Sequence, residues 1–330
     1  MANTLLNAVK DLRNDSLRDL VSASVFTGEI ILGFQGSNYG HVSGGGESPN
    51  VYQANQTSVD VIDRFPFASL GNATDVGNLT VGRYGLSGQS SETHGYSSCG
   101  YSVPIGATLD TIDKFPFASG FITATDVGNM SAAKIIVAGQ SSIPYGYGYN
   151  TGGGNVIDKF PFASDGNSSQ RGTTLTSRSY ATGQSSTTHG YTSGNYPPST
   201  VIDKFPFASD DNATDVGDLS VSRGILTGQS STESGYTSGG YDTGASNIID
   251  KFPFASDGNA SDVGDLTVAR YGTSGQSSTE SGYTSGGHGS GSYTPSNVID
   301  KFPFASDFSG TATDVGDLTV ARFYCAGQQY

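Results

Sequence analysis

The sequence contains no tryptophan, only two cysteines and few charged residues, which make up 14% of its 330 residues. Cys99 and Cys325 occupy different positions of the repeat described below, so they do not indicate a disulfide framework. The net charge of −14 argues against nucleic acid and anionic membranes as partners, because both are bound through lysine and arginine. No apolar run approaches about 18 residues, so we expect no membrane insertion. The residues that follow Met1 lack the basic region and the long apolar region of a signal peptide, so we expect none.

Glycine and aromatic residues are abundant instead. The chain has 47 glycines, 18 tyrosines and 17 phenylalanines. This aromatic and aliphatic content is ample for a hydrophobic core, so the composition is not that of a disordered protein. Good helix formers are scarce beyond the N-terminal residues. The composition therefore predicts an all-β fold with many turns.

One octapeptide, Ile202–Ser209 (IDKFPFAS), organises the chain after residue 29. It occurs six times, with arginine for lysine at Arg64, and its aspartates are 50, 45, 45, 47 and 50 residues apart. Repetition at such a period is typical of propellers and solenoids. Because side chains alternate along a strand, Ile202 and Lys204 should face away from Asp203 and Phe205. The six aspartates are Asp63, Asp113, Asp158, Asp203, Asp250 and Asp300.

Each repeat contains four predicted strands, which we name A to D. Strand A ends in Gly-Gln-Ser-Ser, strand B is Gly-Tyr-Thr-Ser-Gly-Gly, strand C ends in the octapeptide, and strand D contains Asp-Val-Gly-Asp-Leu-Thr-Val. Four strands in each period of 45–50 residues predict one blade of a β-propeller. The B–C connections, for example 145–155 and 287–297, vary in length, so we expect binding specificity to lie there.

The predicted organisation is a short helical arm at 1–28 followed by a six-bladed propeller at 29–330. Leu5, Val9 and Leu12 lie at helical spacing and indicate amphipathic helix. The arm either packs on one end of the propeller or docks on a partner subunit. Strand A occurs a seventh time at 323–330, so this segment or Ile30–Gly36 is surplus. The surplus strand either closes the ring or pairs with a neighbouring subunit.

Several sets of repeated polar residues could carry chemistry. Ca²⁺ requires about six to eight converging oxygen ligands, whereas the repeat places equivalent aspartates in different blades. We therefore interpret the aspartates as strand-edge partners of the adjacent lysine or as turn residues. The basic residue that ends strand D should bridge to the next blade, and the strand-A glutamine should form a polar ring at the central channel. Beyond the octapeptide aspartates, the sets are Asp75, Asp126, Asp215, Asp262 and Asp314; Arg83, Lys134, Arg178, Arg223, Arg270 and Arg322; and Gln89, Gln140, Gln184, Gln229, Gln276 and Gln328.

The histidines do not indicate a metal site. A metal site requires about three or four converging ligands, and only His94 and His189 share a repeat position, with His41 and His288 elsewhere. We therefore predict no catalytic, cofactor-binding or metal-binding residues. Asn-x-Ser/Thr triplets begin at three asparagines, which we interpret as turn residues rather than glycosylation acceptors. They are Asn72, Asn212 and Asn259.

The order of these signals resembles the kelch family of β-propellers. That family's Gly-Gly pair corresponds to Gly239-Gly240. Its third strand corresponds to Ile249–Phe254, and its fourth strand corresponds to the stretch from Leu219 to Arg223. The family's fourth strand begins with tryptophan, which this chain lacks. The wording of the repeat also resembles hypothetical proteins of marine and cyanobacterial tailed phages. Together these resemblances imply a six-bladed kelch-like propeller located in the virion.

The leading functional hypothesis is a non-enzymatic structural or interaction protein of a phage virion, in the tail, a fibre or the capsid surface. Its expected partners are other virion proteins, contacted through the N-terminal helix and the propeller faces, with a homo-oligomer as one arrangement. The alternative is a host glycan- or receptor-binding module, because loops rich in tyrosine and serine with few charges suit sugars. A propeller enzyme is the third hypothesis and rests on fold analogy alone.

Overall fold

The computed structural model describes residues 35–47, 57–118, 120–289, 294–305 and 308–330. These residues form six antiparallel blades of four main strands each, arranged in a ring as a β-propeller. The described residues contain no helix, and therefore none that could cross a membrane. The helical arm predicted at 1–28 lies outside them. The all-β, six-bladed architecture predicted from the repeat is confirmed.

The two strands nearest the axis are short and nearly uniform in length. In order of blades 1 to 6, strand A is Ala326–Gln329, Ser87–Ser90, Ala138–Ser142, Thr182–Ser185, Thr227–Ser230 and Ser274–Ser277. Strand B is Tyr39–Ser43, His94–Ser98, Tyr147–Thr151, His189–Ser193, Ser234–Ser238 and Ser281–Ser285. This numbering of the blades is used throughout.

The two outer strands vary more in length. Strand C is Val61–Pro66, Thr111–Pro116, Gly154–Pro161, Ser199–Pro206, Ile248–Pro253 and Val298–Pro303. It ends at proline in every blade, because proline lacks the N–H that a ladder requires. Strand D is Thr74–Asn78, Thr125–Asn129, Ser169–Arg178, Thr214–Arg223, Ser261–Asp265 and Thr313–Asp317.

Short strands extend the connections. Tyr101–Ser102 pairs with Ala107–Thr108, and Arg270–Tyr271 pairs with His288–Gly289. Ile122–Thr123 and Gly310–Thr311 each add a parallel pair to strand D of the preceding blade, in blades 1 and 5.

The two ends of the described chain meet in blade 1 and close the ring. The C-terminal strand Ala326–Gln329 pairs antiparallel with Tyr39–Ser43 and supplies strand A of that blade. The structure thus decides between the two roles considered for the last strand. Of the other surplus candidate only Gln35 and Gly36 are described. Gly36 lies beside blade 6, where its N–H donates to the Ser277 carbonyl at 2.8 Å.

Strand C is buried on both faces because every blade is packed between two others. Ile202 packs toward blade 5, in a cluster that contains Phe252. Phe205 packs toward blade 3, in a cluster that contains Tyr149 and Ile157. The predicted alternation of Ile202 and Phe205 is therefore confirmed, and the hydrophobic core consists of layers between blades.

One predicted connection is wrong. In blade 3, strand B runs to Thr151 and strand C begins at Gly154, so only residues 152–153 connect them, in place of the predicted 145–155. Tyr147 and Tyr149 belong to strand B, where Tyr149 is buried against Phe207. Tyrosine and glycine occur in both strands and connections of this chain, so composition did not separate the two. In the other example, 287–297, the structure places a short strand at His288–Gly289.

Candidate binding surface

The octapeptide aspartates form buried ion pairs between neighbouring blades with the repeated basic residues, Arg83 and its equivalents, which end strand D or follow it. All six aspartates are fully buried. The pairs are Arg322–Asp63 at 2.9 Å, Arg83–Asp113 at 2.9 Å, Lys134–Asp158 at 2.6 Å, Arg178–Asp203 at 2.7 Å, Arg223–Asp250 at 3.1 Å and Arg270–Asp300 at 2.6 Å. The predicted bridge from strand D to the next blade is confirmed.

The partner predicted for the aspartates is corrected by these contacts. The lysine that follows each aspartate points to the opposite face of strand C, so it cannot pair with its neighbour. Lys114 and Lys159 instead reach aspartates of the next blade, Asp165 at 3.0 Å and Asp210 at 3.6 Å. Burial raises the pKa of Asp203, and the neighbouring Arg178 acts in the opposite direction.

The second set of aspartates and the repeated asparagines make turn and bridging contacts. Asp75 Oδ1 accepts a bond from the Gly77 N–H at 3.0 Å, and four other blades have the equivalent bond. The predicted turn role is confirmed. Asn72 Oδ1 accepts from the Asp317 N–H of blade 6 at 3.1 Å, and Asn212 and Asn259 make the equivalent bond to their preceding blades. These asparagines therefore also join blades.

The strand-A glutamines form a ring around the axis, but their amides join blades. Each is almost fully buried, and its Nε2 donates to a strand-B carbonyl of the next blade, as from Gln140 to Tyr191 at 2.9 Å. The equivalent donors are Gln89, Gln184, Gln229, Gln276 and Gln328. The predicted polar ring thus has a structural role.

Glycine sets the width of the central channel. A Cβ atom on Gly139 would lie 2.3 Å from the Gly88 carbonyl oxygen, and six such contacts link the strand-A glycines around the axis. The cavity on the axis has a volume of about 120 Å³. Ligand pockets typically measure about 300–1,000 Å³, so the channel is smaller than a typical ligand pocket.

The histidines and cysteines are not brought together. His41 is buried against Phe117, with ring centroids 5.0 Å apart, whereas His94 and His189 each contact a threonine hydroxyl at 2.8 Å on the A–B side. His288 packs on Phe323. In the ranges that the structure describes, no group of His, Cys, Asp or Glu could hold a metal ion. Both thiols are free, and burial raises the pKa of each to about 12.

One mouth of the channel is surrounded by a closed ring of backbone hydrogen bonds, which we call the axial ring. Each blade contributes one residue just before strand A, and the N–H of each donates to the carbonyl of the preceding one over 2.6–3.1 Å. All six have φ between 51° and 69°. The members are Tyr324, Gly85, Ile136, Tyr180, Ile225 and Gly272.

Four members of the axial ring are strained. Glycine adopts this left-handed conformation freely, but other residues lose about 1–2 kcal/mol. Gly85 and Gly272 make the same hydrogen bonds without a side chain. The tyrosine and isoleucine side chains are therefore not needed for the axial ring to form. Non-glycine residues held in such conformations concentrate at functional sites. Sequence reasoning missed this ring, because Ile136 and Tyr180 give no signal for a positive φ.

Two of these strained residues belong to a row of five tyrosines that crosses the channel mouth. Successive ring centroids are 5.7, 6.4, 6.1 and 5.6 Å apart. The tyrosine row consists, in order, of Tyr101, Tyr84, Tyr324, Tyr180 and Tyr196. Tyr324 and Tyr180 come from blades 1 and 4, which face each other across the axis, and Tyr196 is 48% exposed.

The side of the propeller that carries the tyrosine row is acidic. It is the side of the B–C connections, which bear Glu47, Asp60, Asp110 and Asp242. Among the described residues, the basic side chains at this side are those buried in the ion pairs. The remaining described basic residues lie toward the A–B and C–D turns: Arg64, Lys114, Lys159, Arg171, Lys204, Lys251 and Lys301.

Neither the protein-family models nor the curated proteins compared with this chain give a match. The repeated polar residues described above contact other blades or their own turns. The tyrosine row, in contrast, is not repeated in every blade, and it lies at the surface.

Proposed function

We propose that the chain is a non-enzymatic structural and interaction protein of a phage virion, built on a kelch-like propeller. The proposal rests on the observation that the repeated polar residues join neighbouring blades. Asp203 and its five equivalents are fully buried and ion-paired, and the strand-A glutamines are bonded between blades. Carboxylates held in this way serve a rigid ring and are not presented to a substrate. The virion location is supported by the resemblance of the repeat to phage proteins.

The proposed partners are other virion proteins, contacted through the N-terminal arm and the two propeller faces, and a homo-oligomer is one such arrangement. A rigid ring suits this task because its faces are held by six equivalent sets of contacts. The B–C side offers the tyrosine row, and partly exposed tyrosine is enriched at protein interfaces.

Mass spectrometry of purified particles tests this proposal. Peptides of the chain should be recovered from gradient-purified virions at a constant ratio to the major capsid protein. The same peptides in the infected-cell lysate control for expression. Recovery from the lysate but not from the particles would contradict a virion location.

A host glycan- or receptor-binding module is the second candidate. The tyrosine row favours it, because aromatic side chains that are partly exposed offer apolar faces with polar edges. This function is compatible with a place in the virion, but it requires a ligand outside the particle.

A further inference from the structure

We propose that the tyrosine row is a binding site for an uncharged oligosaccharide, which lies across the channel mouth with its sugar units packed against Tyr324 and Tyr180. This inference rests on the second candidate function and gives it a place and a ligand class. It does not depend on whether the chain is part of the virion.

The first argument is the backbone strain at Tyr180 and Tyr324. Their φ angles are 56° and 51°, in the region that favours glycine. Gly85 and Gly272 occupy equivalent positions and make the same hydrogen bonds of the axial ring. The ring can therefore form without either tyrosine side chain. Residues other than glycine that are held in this conformation cluster at functional sites.

The second argument is the arrangement of the aromatic rings. The row places five rings at successive centroid distances of 5.6–6.4 Å, and neighbouring ring planes are inclined by 30–63°. Rings that follow one another at this spacing can contact consecutive units of a linear ligand, whose apolar faces are buried by the contact. The cavity beneath the row, at about 120 Å³, is smaller than a typical ligand pocket, so we place the ligand across the channel mouth.

The side of the propeller around the row carries acidic groups. Asp242 is exposed and Asp110 half-buried on this side, and carboxylates accept hydrogen bonds from sugar hydroxyls. In the described ranges, no solvent-exposed lysine or arginine lies there to neutralise a sulfate or carboxylate group. An uncharged saccharide fits this environment, whereas an anionic one would be repelled.

Titration calorimetry with the full-length chain tests the inference. The probes are uncharged gluco-, manno-, galacto- and xylo-oligosaccharides, with a sulfated oligosaccharide for comparison. We expect at least one uncharged probe to bind, and Tyr180→Gly and Tyr324→Gly to weaken that binding about tenfold or more. Tyr180→Phe, which keeps the ring, should bind within about threefold of the unchanged protein. Tyr145→Ala is the matched control, because Tyr145 is 40% exposed on the A–B side.

Three results of the calorimetry would overturn the inference. The first is that no uncharged probe binds at millimolar concentration. The second is preferential binding of the sulfated probe, and the third is binding that both glycine variants leave unchanged. Capture of another virion protein that Tyr180→Gly abolishes, with no saccharide bound, would also overturn it and make the row a protein interface. Recovery of the chain from purified virions is an independent readout, so the two proposals can fail separately.

Discussion

Acid should destabilise this protein through one histidine, His41. In the other five blades a tyrosine occupies its position in strand B, as Tyr96 does in blade 2. His41 is fully buried, and its ring lies 6.0 Å from that of Phe115 and 5.0 Å from that of Phe117. Burial, with a smaller contribution from Arg64, lowers the pKa of His41 from 6.5 to about 3.

The sign and size of the effect follow from this pKa. Because burial lowers the pKa of His41, the unfolded state binds this proton more readily than the native state does. The native state therefore keeps its full stability above the unfolded pKa of 6.5 and loses stability as the pH falls. One pKa unit corresponds to about 1.4 kcal/mol, so the loss reaches about 3 kcal/mol near pH 4 and roughly 5 kcal/mol below about pH 3.

Guanidinium unfolding of the unchanged protein and of His41→Leu, at pH values near 7 and 4, measures this contribution. Both proteins lose stability as their shared carboxylates are protonated. The unchanged protein should lose about 3 kcal/mol more, because leucine has no proton to bind. Equal losses would refute the reasoning, since they would mean that the buried imidazole accepts a proton at little cost.

Two further predictions concern the axis and the thiols. Gly139→Ala should lower the free energy of unfolding by about 2–3 kcal/mol or prevent folding, because its Cβ would meet the Gly88 carbonyl at 2.3 Å. Gly244→Ala is the control and should leave the melting temperature nearly unchanged, because no atom lies within 4 Å of its Cβ. Equal effects of the two substitutions would contradict the close approach of the strands. Cys99 and Cys325 should not react with a thiol reagent at neutral pH until the protein unfolds, because both are buried with pKa values raised to about 12; rapid labelling of the native protein would contradict this.

Much of the fold could be predicted from the octapeptide and its spacing. Ile202 and Phe205 alternate along one strand, and the period of 45–50 residues leaves room for four strands. Because Arg178 and its equivalents recur once in each repeat, their bridging role could be predicted as well. The repeat could not predict which aspartate pairs with which basic residue. Asp63, for example, pairs with Arg322 from the far end of the chain, which requires that the ring be closed.

The candidate site was much harder to predict. Tyr84 and Tyr180 precede strand A, whereas Tyr101 and Tyr196 follow strand B, so the tyrosine row has no single position in the repeat. Its members come together only where the blades converge on the axis. The B–C connections, where we expect binding specificity, contain Tyr101 and Tyr196. Tyr324 lies in the seventh strand A at 323–330, which the sequence marks as unmatched, but nothing in the sequence joins these residues into one row.

The central claim is that repeated residues hold the ring together, while the unrepeated tyrosines serve another purpose. Arg178 and Tyr180 are two positions apart and allow a direct comparison by chemical denaturation. Arg178→Met should lower the free energy of unfolding by about 3–5 kcal/mol, because it leaves Asp203 buried without its ion pair. Tyr180→Gly should stay within about 1 kcal/mol of the unchanged protein, since relief of the left-handed strain offsets the lost packing. A larger loss for Tyr180→Gly than for Arg178→Met would contradict the claim.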